Sequence, residues 1–153
     1  MAEGAGPIEI REISARDTHP LRQRVLRPNQ PPEAMFYPGD ETPGAVHLGA
    51  FNAAGQLIGI ASLSIEPPPT GGAERTFRLR GMAVDPDLQG SGIGSRLVEI
   101  GVARAAAAGL TGIWCNARIS AEPFYRRLGF SVVGERFDIE GIGPHVVMRR
   151  DLA

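Results

Sequence analysis

Apolar positions recur along this chain with two periods, and the switches between them mark most of its elements. Ile8-Glu9-Ile10-Arg11-Glu12-Ile13 sets isoleucines against charged residues and predicts a first strand. Ser14 suits the cap of a helix running towards Leu26, with Leu21, Val25 and Leu26 on its apolar face. His19-Pro20 interrupts that helix, although proline is favoured in a first turn. From Pro28 to Pro43 the pattern lapses into proline and turn residues, which predicts a long irregular loop of the kind that often carries function. Val46 to Asn52 and Gln56 to Glu66 read as the strands of a hairpin turning at Ala53-Ala54-Gly55. Pro67 to Gly72 is a loop, and Thr76 to Val84 is a strand ended by Asp85-Pro86. From Gly92 to Ala108 the period lengthens. Ile93, Leu97, Ile100, Ala105 and Ala108 share roughly one helical face, and Gly109 suits the position past its end. Gly112 to Asn116 reads as a short buried strand, Ser120 or Ala121 to Leu128 as a short helix stopped by Gly129, and Val132 to Ile139 and His145 to Arg149 as the last strands.

A strand-helix-strand unit in the middle implies local parallel pairing, whereas the hairpin and the final pair imply antiparallel pairing. The expected class is therefore α/β, with a mixed sheet flanked by helices. The chain's 153 residues fit a single domain over 1–153, with residues 1–7 expected to be flexible.

Composition narrows the function classes. The 16 basic and 17 acidic side chains leave a net charge of −1, which argues against nucleic acid as the main partner. No apolar run approaches the ~20 residues of a membrane span. Met1 to Pro7 lacks a basic segment followed by an apolar one, so a cytoplasmic protein without membrane contact is expected. Cys115 is the single cysteine and implies no disulfide. His19, His47 and His145 lack metal-ligand spacing, and no metal is expected.

The chemistry concentrates where the fourth strand turns into the long helix, at Gln89-Gly90-Ser91-Gly92-Ile93-Gly94. Glycines here let the backbone approach a ligand closely. The first amides of the following helix lack internal partners and carry partial positive charge, so the turn can cradle a phosphate. Glycine-rich turns also serve merely to end strands. Two familiar phosphate motifs fail: no lysine followed by serine or threonine comes after the glycines, and no acidic residue stands near Ile113 to Asn116.

Gln89 to Gly94 resembles the Gln/Arg-x-x-Gly-x-Gly/Ala signature of the GNAT superfamily of N-acetyltransferases. Phe124-Tyr125-Arg126-Arg127-Leu128-Gly129-Phe130 resembles the Phe-Tyr-x-x-x-Gly-Phe segment of the same superfamily, in the expected order. The likeness runs most clearly from about Thr76 to Phe130. It implies the GNAT-like acyl-CoA N-acyltransferase fold: a central mixed, mostly antiparallel sheet with about four helices, and fourth and fifth strands that splay apart. It also implies acetyl-CoA as cosubstrate, an amine acceptor, and a homodimer as an open possibility.

By the same resemblance, Met82, Ala83 and Val84 on the fourth strand would meet the pantetheine arm. Gln89, Gly90, Ser91, Gly92, Ile93, Gly94 and Ser95 would meet the pyrophosphate. Tyr125 would be the general acid for the departing thiolate and would also touch the cofactor, the alternative being a ring packed at the core's edge. Asn116, at the end of the fifth strand, would hydrogen-bond the pantetheine or a bridging water, the alternative being a strand-end turn residue. An alkylammonium must lose a proton before it attacks. The candidate bases are Glu66, Glu140 and His145. The last two lie in Phe137 to Met148, which resembles the C-terminal part of the ElaA-like branch. Arg22, Arg24 and Arg27 read as a solvated helix face, Asp40 and Glu41 as solvated loop acids, and Cys115 as an inert buried thiol. Two other readings stay open: a non-catalytic acyl-CoA sensor, and a cradle for a different nucleotide. The acceptor is not specified.

Overall fold

The apolar strands assemble into one seven-stranded sheet in the computed structural model, which describes residues 7–152. The expectation of a flexible segment over 1–7 falls outside the described residues, except at exposed Pro7. The strands are β1 Glu9–Ile13, β2 Val46–Phe51, β3 Leu57–Ile65, β4 Thr76–Val84, β5 Gly112–Arg118, β6 Ser131–Ile139 and β7 Gly143–Asp151. Their spatial order is β1-β2-β3-β4-β5-β7-β6. Only β4 and β5 pair in parallel, joined by helix α2 (Ile93–Ala107), and every other neighbouring pair is antiparallel. The mixed, mostly antiparallel sheet expected of the chain is therefore present.

Two irregularities in β4 shape the site. Ile60 pairs with Ala83 but Ser62 pairs with Arg80, so β4 holds one residue more than β3 across this interval. The extra residue makes a bulge at Gly81, whose φ of +63° suits glycine. Pairing between β4 and β5 runs only from Thr76↔Gly112 to Leu79↔Cys115. Beyond that point both strands continue unpaired with each other, to Val84 and to Arg118. The result is a V that opens towards the strands' C-terminal ends.

Helix α2 covers one face. Its buried residues are Ile93, Leu97, Val98, Gly101, Val102 and Ala105, spaced by three or four. The sequence reading had this face slightly rotated: Ile100 is only half-buried, and Ala108 is exposed just beyond the helix. Gly101 corrects the phase, because a Cβ there would stand 3.2 Å from Leu63 Cδ1. The main core lies between this helix and the sheet, and Tyr125 and Phe130 from the region of α3 (Glu122–Arg127) join it. A smaller cluster of Leu21, Ile60 and Ala83 lies apart from it.

The first helix is less regular than its sequence suggests. Ser14 does cap it: Asp17 N–H donates to Ser14 Oγ and Ser14 N–H to Asp17 Oδ2, both at 3.2 Å. The segment then passes through a 3-10 turn at Arg16–Thr18 and a short α1 at His19–Leu21. It ends in a π-helical stretch, Arg22–Leu26, where Arg27 N–H donates to the Arg22 carbonyl at 3.0 Å.

Arg22 and Asp40 overturn the reading of solvated charges. The Arg22 side chain is fully buried and grips Asp40 with two hydrogen bonds, of 2.7 and 2.9 Å. It also donates to the Met35 carbonyl and to Ser62 Oγ. Asp40 accepts from the Tyr37 amide as well. Burial raises the Asp40 carboxyl's pKa, but the hydrogen bonds from Arg22 and Tyr37 and the Arg22 charge together hold it below the usual range. His47 joins the network through Nε2–H to the Asp40 carbonyl and Nδ1 to Ser62 Oγ. These bonds pin the long loop to the sheet, so that buried Met35 and Tyr37 form part of the interior.

Candidate active site

The V between β4 and β5 is the floor of a cleft of about 480 Å³. Leu79, Met82, Ala83 and Val84 line it from β4, and Cys115, Asn116 and Ala117 from β5. Tyr125 closes one side, and Val25, Leu26, Arg27 and Tyr37 reach it from the first helix and the pinned loop.

The backbone of β4 faces this gap where β5 has left it. Asp85 N–H donates to the Ile58 carbonyl on β3, so alternation turns the polar groups of Met82 and Val84 the other way. The Val84 carbonyl accepts the Gln89 side-chain amide at 3.3 Å, which folds Gln89 over the strand's end and into the cleft wall. Asn116 also lines the gap, and β5 runs two residues past it to Arg118.

The glycine-rich turn sits at the open end of the V. Gly90 and Gly92 have φ of +88° and +91°, and a Cβ on either would meet nothing within 4 Å. Conformation, not crowding, demands glycine there. Gly94 differs, since a Cβ would fall 2.9 Å from Met82 Cε and 3.3 Å from Phe124 Cζ. Gly92 caps α2, whose first-turn amides, including those of Ile93, Gly94 and Ser95, have no acceptor within the helix. Ser91 Oγ donates to the Leu88 carbonyl and closes the turn. An open cradle of backbone donors with clear space above it fits a pyrophosphate.

Tyr125 stands at the point of the V. Its ring is buried, with Phe124 at 5.0 Å and Phe130 at 5.4 Å between centroids. Its side chain neighbours Cys115, the last β5 residue paired to β4. Burial pushes the phenol well above its ordinary pKa, and the neighbouring thiol adds to this. The group therefore keeps its proton at neutral pH. Burial also pushes the Cys115 thiol up, to about 12, so it is not a thiolate nucleophile. Among the described residues no group of three or more His, Cys, Asp or Glu could hold a metal ion.

Of the three candidate bases, only His145 borders the cleft. It is 4% exposed, and its Nδ1 lies 2.8 Å from the Gly143 carbonyl. A carbonyl only accepts, so Nδ1 donates in this bond, and in the neutral ring Nε2 is the nitrogen with the lone pair. Glu66 does not reach the cleft lining: Ser64 Oγ holds its carboxylate at 2.6 Å and Arg78 Nη1 at 3.3 Å. Glu140 is exposed in the β6–β7 turn, although its neighbours Ile139 and Ile142 touch the cleft. Tyr37, Arg78 and Arg80, which no sequence motif singles out, also line the site. The available signal was two arginines alternating on an otherwise apolar strand, Phe77-Arg78-Leu79-Arg80.

Comparison with known proteins agrees with this geometry. Residues 9–130 match the Acetyltransferase (GNAT) family. The chain is 40% identical over 145 residues to YitI of Bacillus subtilis, described as an uncharacterized N-acetyltransferase, covering 95% of this chain and 97% of that one. Two solved structures share the fold. Escherichia coli ElaA gives a TM-score of 0.74 at 18% identity, over 94% of this chain and 99% of the other. An acyl-CoA N-acyltransferase from Pseudomonas aeruginosa gives 0.73 at 23% identity, with the same coverage.

Proposed function

The chain belongs to the GNAT family of acetyltransferases, and on that premise we propose that it transfers the acetyl group of acetyl-CoA to a primary amine, of a small molecule or a protein, by direct attack in a ternary complex. The observation that carries this reading is the meeting of three features at one V. These are an open backbone cradle at Gly90 to Ser95, unpaired strand edges beyond Leu79 and Cys115, and a protonated phenol at their junction. Acetyl-CoA, when bound, supplies the acetyl group as an activated thioester. The amides at the start of α2 and the side of Gln89 hold its pyrophosphate, and the backbone of Met82 and Val84, with Asn116, aligns its pantetheine arm. Tyr125 donates its proton to the sulfur as the thiolate departs. His145 Nε2 takes the proton from the attacking amine. Met82, Val25 and Leu26 add apolar surface to the cleft lining. The reading treats the chain as one acetyltransferase domain acting in the cytoplasm. Among the described residues, no helix is long and apolar enough to cross a membrane.

Calorimetric titration with acetyl-CoA, with CoA and ATP as controls, tests the cradle. Saturable binding of both acetyl-CoA and CoA but not ATP is expected, followed by thiol release when amines are screened. Equal binding of ATP would overturn the assignment in favour of a general nucleotide cradle. Binding of acetyl-CoA without turnover of any amine would instead make the protein an acyl-CoA sensor.

A further inference from the structure

The wall of the cleft nearest the point of the V is positively charged. All 16 basic side chains of this protein are arginines, and Arg27, Arg78, Arg80 and Arg118 line the cleft while, among the described residues, no aspartate or glutamate does. Three guanidiniums gather around the Tyr37 ring: Arg22 at 3.9 Å, Arg80 at 4.6 Å and Arg27 at 5.3 Å from its centroid. Asp40 neutralises Arg22. Among the described residues neither Arg27 nor Arg80 forms an ion pair, and the one acceptor that Arg80 finds is the Pro38 carbonyl at 3.4 Å. Arg78 shares Glu66 at 3.3 Å, and its buried Nε has no hydrogen-bond partner among the described residues. Four guanidiniums thus face two carboxylates, and both carboxylates are already engaged.

Arg80 is the central member. It directly follows Leu79, the last β4 residue paired to β5, so it stands where the strands part. Burial, with the nearby Arg78, pulls its pKa down to about 10. A guanidinium fork with free N–H groups matches the paired oxygens of a carboxylate or phosphate.

Building on the proposed transferase reading, we propose that the acceptor amine carries an anionic group, a carboxylate or phosphate, which docks on Arg80 with Arg27 and Arg78. Its amine then lies towards Tyr125 and His145. The same positive field lowers the pKa of an incoming ammonium and so raises the fraction of free amine able to attack. Asp40 offers no counter-charge to a cationic acceptor, since it is turned inward to Arg22.

The test uses the whole protein saturated with CoA, so that the phosphate cradle is already filled. Thermal unfolding is followed as inorganic phosphate or succinate is added to about 50 mM, with ionic strength held constant by sodium chloride. A saturable rise of about 5 °C is expected for an anion about 50-fold above its Kd. Phosphate responding alone identifies a phosphorylated amine, and succinate alone an amino carboxylate. Arg80→Gln should abolish the rise and leave CoA affinity unchanged. Arg80→Lys, which keeps the charge but not the fork, should restore part of it. No saturable rise with either anion, or a rise that survives Arg80→Gln, overturns the inference. Failure of CoA itself to bind would instead defeat the transferase reading. In the activity arm, an amine bearing the favoured anion should show kcat/KM at least about 100-fold above its neutral amide or alcohol counterpart. Equal or better use of the neutral partner also refutes it.

Discussion

Replacing Asp40 by alanine probes both the fold and the shape of the cleft. Arg22 has no exposed side-chain surface, and Asp40 provides two of its four hydrogen bonds and its one ion pair. Without Asp40 a buried cation is left uncompensated, and the Tyr37 amide loses its acceptor. Breaking a buried pair from one side costs about 3–5 kcal/mol. For a chain of this size that corresponds to a fall in Tm of roughly 6–20 °C. Urea unfolding followed by the fluorescence of Trp114, the single tryptophan, measures it directly. Removing both partners, as Arg22→Met with Asp40→Leu, takes away the stranded charge and should recover part of the loss. A double-mutant cycle should return a coupling of at least about 2 kcal/mol. The pH dependence has a definite sign. Because Asp40 has a lowered folded pKa, its contribution is complete above the ordinary carboxylate value of ~3.9 and disappears as pH falls through the folded value. The Asp40→Ala protein should therefore lack this acid-side loss. A cost below about 1 kcal/mol, or strict additivity in the cycle, would refute the account of a coupled buried pair.

Tyr125→Phe should lower kcat by about 10²–10³-fold with the KM for acetyl-CoA little changed, as read by thiol release, and undiminished turnover would remove the phenol from the chemistry. His145→Asn should reduce kcat by about 10²-fold, and added imidazole should restore part of it if the imidazole ring is the base. Gly92→Val forces a branched side chain to a φ of +91° at the start of α2, with a strain of about 1–2 kcal/mol. Calorimetry should show acetyl-CoA affinity reduced at least about tenfold, because the amides of the cradle shift. Cys115, buried and with its thiol pushed up to about 12, should resist a disulfide reagent at pH ~8 in the native protein and react once the chain is denatured.

What the sequence determined by itself was local. Glycines at 90 and 92 announce a backbone conformation that other residues avoid, and a Pro or Gly marks at least one end of every strand to within two residues. Apolar alternation was enough to find the hairpin and the final pair, and two motifs separated along the chain carried the family resemblance. Tyr125 was legible as a residue of the cleft because it falls inside such a motif, and its ring packs in the core as well. The order in which β7 inserts between β5 and β6 was not legible, since strand neighbours chosen at long range leave no local trace. Nor was the bulge at Gly81, which exists only relative to β3. Charges were the hardest to read. Arg22 and Asp40 look like surface residues until the loop folds back and supplies each with the other. Glu66 and Glu140 share a chemistry with His145, but only His145 is turned into the cleft by its strand. Arg27, Arg78 and Arg80 come from distant parts of the chain and meet only in the folded protein. A side chain's type fixes what it can do. Its burial and its partners, which depend on residues far away in sequence, decide whether it does so.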